Sequence, residues 1–225
     1  MSFNKFINEL NGSRVEGELV KTFLYSLITS IAVLAIVWLV RLRSSPLPEQ
    51  SYFIFFAVLS YALLVPAIRQ VRAYGSLPCM SGMMVGMMIG SIAGFLSGFL
   101  IASTNGMFVG SVFGLVVGIF FGTWMGSCCG IMGVMEGIMA GFMGSIMGAM
   151  TAVMLLNDHL KAATVIVFAV SAVIIAGLNY TIYKEMHESE RQRKEDHFWT
   201  IAISFILTLA TTWFMIFGPR SAIFG

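Results

Sequence analysis

Charge is what this sequence has least of. Only 11% of its 225 residues are Asp, Glu, Lys or Arg, where a soluble domain carries about a quarter. A water-soluble globular fold is therefore excluded. The few charges nearly balance, at a formal +2, and no basic stripe marks a nucleic-acid partner. Cysteine is scarce too: Cys79, Cys128 and Cys129 cannot build a disulfide framework. Three histidines, none spaced as a zinc set, leave no metalloenzyme motif. No intramembrane Ser/His or paired-Asp arrangement and no cofactor motif is present either, so the chain is read as a non-enzyme with no required cofactor. The alternation of a barrel strand is also missing.

Apolar residues fill the gap. They make up 58% of the chain, mean hydropathy is +0.88, and several runs reach the ~20 residues that cross a bilayer. The expected fold class is all-α, a polytopic transmembrane helical bundle of about seven spans in one integral membrane domain, residues 1–225, with the lipid bilayer as its first partner. A polar lead covers 1–21, with a weakly amphipathic, interfacial start at Phe3, Phe6, Ile7 and Leu10. No small-residue cleavage site follows it, so a retained first helix is expected rather than a signal peptide. Two spans occupy 22–72, the first about Thr22 to Val40 and the second about Ser51 to Ile68, each closed by arginines (Arg41 and Arg43; Arg69 and Arg72). Two more occupy 162–218, about Ala162 to Tyr183 and Phe198 to Phe217, with a charged, solvated loop at 184–197 between them. With the N-terminus in the cytoplasm, the inner segments carry Lys5, Arg14, Lys21, Arg69, Arg72, Lys184, Arg191, Arg193 and Lys194. The outer ones carry Arg41, Arg43, Lys161 and Arg220. That bias predicts N-in, C-out topology in a multi-pass plasma-membrane protein, bacterial or archaeal.

Between these pairs lies a stretch of different character, residues 79–156. Glycine recurs there at every fourth position: Gly82, Gly86, Gly90, Gly94 and Gly98, then, after a polar break at Ser103-Thr104-Asn105, Gly106, Gly110, Gly114, Gly118, Gly122, Gly126 and Gly130. Lipid offers little hydrophobic drive between helices, so close backbone approach must hold them, and small residues four apart permit it. Three consecutive glycine-zipper helices are predicted as the core, with Gly86, Gly90, Gly94, Gly110, Gly114, Gly118, Gly137 and Gly141 as packing residues. None of these glycines has the strand–loop–helix setting of a phosphate cradle.

The third of these helices, Gly130 to Met154, has two sides. At about 100° per residue, Met132, Met135, Met139, Met143, Met147, Met150 and Met154 share about a third of its circumference, and Gly130, Gly133, Gly137, Gly141, Gly144 and Gly148 gather beside them. Glu136 projects into the methionine side, and Cys128 and Cys129 do so as well if the helix begins that early. Thioethers and thiolates are soft ligands that select Cu(I). A neutral thioether needs no deprotonation, and the rungs Met135, Met139, Met143 and Met147 stand about 6 Å apart along the axis. Met83, Met84, Met87 and Met88 are placed to face that ladder near its cytoplasmic end. Glu136 would supply compensating charge, and Cys79, Cys128 and Cys129 an inner acceptor site. Asp158 and His159 lie at the outer end.

The Met135/Met139 and Gly137/Gly141 spacings resemble the MxxxM and GxxxG motifs of Ctr-type copper transporters, over roughly 20 residues. That family has three spans per subunit and a methionine-rich outer tail, neither of which is found here. The resemblance is one of chemistry, as is that of Cys128-Cys129 to the vicinal thiols of mercury-uptake membrane proteins. The expected function is transport, sensing or tolerance of a soft metal ion, most readily Cu(I), as ligand or cargo. The alternative is a glycine-zipper oligomeric scaffold or non-metal channel, in which the glycine tracks join copies in a homo-oligomer and the methionines are flexible filler.

Overall fold

The computed structural model describes residues 17–41, 48–74, 78–186 and 197–219. The polar lead up to residue 16 and most of the charged loop (187–196) lie outside the described residues. So do 42–47, 75–77 and 220–225.

Within the described residues the chain is all-helical. The helices are α1 Gly17–Arg41, α2 Pro48–Ala73, α3 Cys79–Asn105, α4 Met107–Gly126, α5 Gly130–Met154, α6 Leu160–Met186 and α7 His197–Phe217, with one 3-10 turn, Ser127–Cys129, joining α4 to α5. Five stretches are long and apolar enough to cross a membrane. The fourth of them, Met107–Met154, contains both α4 and α5, and Ile201–Phe217 is a shorter apolar helix. These stretches mark a multi-pass membrane protein.

The closest helix packing is among α3, α4 and α5, and glycine sets its register. A methyl group on Gly86 would strike Gly126 Cα at 2.8 Å, one on Gly90 would strike Gly122 Cα at 2.9 Å, and one on Gly114 would strike Gly98 Cα at 2.8 Å. Rising numbers on α3 meet falling numbers on α4, so the two are antiparallel. Helix α5 meets α4 the same way, pairing Gly133 with Gly126, Gly137 with Gly122 and Gly141 with Gly118. Against α3 it runs parallel: methyls on Gly90, Gly94 and Gly98 would meet the carbonyls of Gly137, Gly141 and Ser145 at 3.1, 2.8 and 2.6 Å. Backbone lies on backbone throughout, at a separation that only a hydrogen side chain allows.

Two other glycines serve the chain reversals. Helix α3 does not stop at the polar residues Ser103-Thr104-Asn105, which are helical and buried. The hydroxyls of Ser103 and Thr104 donate back to the carbonyls of Leu100 and Ile101, and the break falls one residue later, at Gly106 with φ 107°. Gly130, with φ 70°, has nothing within 4 Å of a methyl position. It is needed for its backbone conformation and not for space.

The surrounding helices are held differently. Ser204 of α7 lies 3.1 Å from Ser26 and 3.0 Å from Ser30 of α1, hydroxyl to hydroxyl. Asn105 Nδ2 donates to Phe214 O at 2.8 Å, tying α3 to α7, and Tyr52 OH donates to Lys161 O at 2.9 Å, tying α2 to α6. The Arg72 guanidinium lies 4.9 Å from the ring centre of Trp124 and 5.8 Å from that of Trp199, a cation–π bridge between core and periphery.

The second span ends later than its arginines suggest. Helix α2 continues to Ala73, Arg69 is only 5% exposed, and its Nη1 donates to Thr22 Oγ1 of α1. A hydroxyl partner on the neighbouring helix lets this cation sit inside the bundle.

Candidate functional site

Helix α5 has one face in the bundle and one outside it. Gly133, Gly137, Gly141, Gly144 and Gly148 are buried. Met135, Met139 and Met143 are 63%, 66% and 59% exposed, and Met132, Met147, Met150 and Met154 are exposed with them. Glu136 is exposed on the same side. It is the seventh residue of α5, about 9 Å from the helix start. The methionine row is thus an outer surface of the chain and not the lining of a channel within it.

That surface differs from its neighbours. The outward face of α4 is Phe108, Val112, Val116 and Phe120, and that of α6 is Val165, Ile166, Val170 and Val173. These are the aromatic and branched residues that suit lipid. Helix α5 presents a row of seven unbranched thioethers with a carboxylate among them, beside the exposed Ile131 and Phe142, and α3 adds the exposed Met80, Met84 and Met87.

The cysteines do not share the methionine face. The expectation that Cys128 and Cys129 project with Met132 assumed one continuous helix. The 3-10 turn and the positive φ of Gly130 take them out of helical phase and swing them onto the start of α3. There Cys129 Sγ donates to Cys79 O at 2.9 Å, the Sγ atoms of Cys128 and Cys129 stand 3.9 Å apart, and Cys128 Sγ donates to Met125 O at 3.1 Å. All three cysteines are free. The structure therefore brings Cys79, Cys128 and Cys129 together at one end of the bundle, apart from the row Met132 to Met154. Among the described residues no group of three or more His, Cys, Asp or Glu side chains is placed to hold a metal ion.

The remaining candidates fall in place as follows. Met84 and Met87 are exposed on α3, Met83 and Met88 are half-buried, and Met80, beside Cys79, is 85% exposed. Gly86, Gly90, Gly94, Gly110, Gly114, Gly118, Gly137 and Gly141 are all buried between α3, α4 and α5. The tracks are thus occupied by one another within one chain. His159 Nδ1 lies 2.7 Å from Asp158 Oδ1 in a fully exposed corner.

Sequence reasoning missed the polar interior. Gln70 is fully buried and its Nε2 donates to Asn179 O at 3.2 Å, while Ser26 and Ser30 of α1 and Ser204, Thr208, Thr211 and Thr212 of α7 are buried too. The signal was present: Ser26 and Ser30, like Ser204, Thr208 and Thr212, recur every four residues on one helix face. Compared with known proteins, the chain matches no family model, no curated protein and no solved structure.

Proposed function

We propose that this chain is a multi-pass membrane protein that binds and passes a soft metal ion, Cu(I) before others, along the methionine row of α5. The observation that carries the reading is the outward face of α5, seven thioethers plus Glu136, with Met84 and Met87 exposed on the adjoining α3, where the outward faces of α4 and α6 are mostly aromatic and branched. Thioethers bind Cu(I) without losing a proton, and Glu136 gives the cation a counter-charge at a depth where a bare carboxylate is costly. In this reading the seven helices each cross the membrane, with the N-terminus cytoplasmic and the C-terminus outside. The glycine-zipped trio α3–α4–α5 is the rigid frame that holds the row straight. A row on the outside of one chain becomes an enclosed path when a second copy covers it, so the functional unit is a homo-oligomer joined through α5.

The test is cellular. Replacing Met135, Met139 and Met143 together by leucine keeps the apolar bulk and removes the sulfur. Cells carrying the variant should differ from wild type in copper content and copper tolerance. Identical content and tolerance, at equal protein level, would sink the reading.

A second reading is favoured by the same exposure. Methionine packs adaptably on irregular partners, so the α5 face could dock a partner helix with no metal involved, making the chain a membrane scaffold or part of a non-metal channel. It predicts that the leucine variant is silent for copper while bulky residues on the α5 face disrupt assembly.

A further inference from the structure

The three thiols are drawn from two segments 50 residues apart, and the way the chain collects them is specific. Helices α3 and α5 are parallel, so both begin at the same end of the bundle. Cys79 is the first residue of α3, and Cys129 is the N-cap of α5. The 3-10 turn lays the two vicinal sulfurs over Gly82, one turn into α3. A methyl group there would meet Cys128 Sγ at 2.7 Å and Cys129 Sγ closer still. Gly82 is therefore the floor on which this thiol pair rests. It differs from Gly86, Gly90 and Gly94, whose missing side chains admit backbone.

We infer that Cys128 and Cys129 form a two-sulfur binding site for one soft, closed-shell metal cation of the Cu(I) and Ag(I) class, set on Gly82 beside Cys79. Two bonds of about 2.3 Å to one metal reach at most about 4.6 Å, so sulfurs 3.9 Å apart can both hold one ion in a bent arrangement. Such ions are satisfied by two sulfurs. Zinc requires a tetrahedral set of four ligands, and even with Cys79 beside the pair no fourth His, Cys, Asp or Glu side chain completes one among the described residues. Loading forms two S–metal bonds and breaks two S–H bonds. Both protons go to water, which reaches the exposed Cys128, and no electrons are exchanged. Hydrogen bonds that now hold the thiols, to Met125 O and Cys79 O, are given up in the process. As the entry or exit point of the methionine row this site rests on the proposed function, but its metal binding stands without it.

The experiment titrates the detergent-purified full chain with Cu(I), presented as a complex with a chromogenic chelator. Wild type is compared with Cys128→Ser/Cys129→Ser, with Gly82→Ala and with the Met135/Met139/Met143→Leu variant. The double-serine variant should lose one equivalent of Cu(I) and the ultraviolet thiolate-to-metal absorption. Gly82→Ala leaves every cysteine in place but pushes the sulfurs apart, and should weaken that equivalent more than tenfold. The methionine variant should keep it. Thiolate absorption unchanged in both the double-serine and the Gly82→Ala proteins overturns the inference, as does equally tight occupancy by Zn(II). Loss of Cu(I) in the methionine variant alone would leave the row standing and remove the thiol site. Retention of the thiol-bound ion with no difference at the methionines would do the reverse.

Discussion

The trio α3–α4–α5 and the group α1–α2–α7 solve one problem by opposite means. Both must hold apolar helices together in a setting where apolar contact with lipid is as good as apolar contact with protein. The trio strips side chains from the contact, so that Gly94, Gly118 and Gly141 bring three backbones within touching distance. The other group keeps its side chains and uses hydroxyls, with Ser26 and Ser30 sharing Ser204, and Arg69 donating to Thr22. Backbone packing tolerates no added atom, because the object struck is a carbonyl or Cα that cannot rotate away. Hydroxyl packing tolerates loss, because an unmade bond can be replaced within the helix: Thr208 and Thr211 already donate to their own helix carbonyls.

The contrast is broken most forcefully at Gly137, where even a methyl overlaps Gly122 O and C. Gly137→Leu should cost more than about 3 kcal/mol, beyond the usual range for overpacking, and should remove folded protein from detergent extracts. A monodisperse, wild-type yield would show that the trio is looser than described. On the opposite face of the same helix, Met135/Met139/Met143→Leu should change stability by less than about 1.5 kcal/mol, since the swap nearly conserves volume and the residues point outward. A large fall in apparent Tm would mean the row is packed inside its own chain. Ser204→Ala removes the hydroxyl shared by Ser26 and Ser30, and should lower stability by about 0.6 kcal/mol, the typical yield of such bonds in membranes. A loss above ~2 kcal/mol would make the hydroxyls as critical as the glycines. Gly177 in α6 is the control, with nothing within 4 Å of its methyl position. Gly177→Ala should raise the apparent Tm slightly, by the ~0.5–1 kcal/mol of helix propensity, and a fall would show an unseen neighbour there.

How much of this was legible beforehand depends on how narrowly each residue pattern constrains the chain. A glycine every fourth residue over three apolar runs leaves few options besides close helix contact, so Gly86 to Gly141 could be read as packing positions before their partners were known. The two-sided nature of α5 was equally plain, because a 3.6-residue period converts spacing into direction. What the methionine side faces was not, since the hydrophobicity of methionine suits core and lipid alike. Extrapolation failed where helical phase broke: Ser127–Cys129 and Gly130 turn the thiols toward α3, and nothing in the spacing Cys129 to Met132 encodes that rotation. It failed also at Arg69, where a positive charge after an apolar run reads as a span end. Its buried partner, Thr22, lies 47 residues away. Contacts between distant, unremarkable Ser and Thr residues leave only a faint periodic trace.

What most needs testing is the binding of a soft cation by the outward thioether row of α5. It is tested most directly by the metal content and Cu(I) uptake of the detergent-purified chain beside its Met135/Met139/Met143→Leu variant, both with their cysteines intact. The account predicts that wild type holds more Cu(I) than the variant, whose remaining ion is bound by thiolate alone. Equal Cu(I) in the two proteins, or none in either, would contradict it and return the methionines to packing.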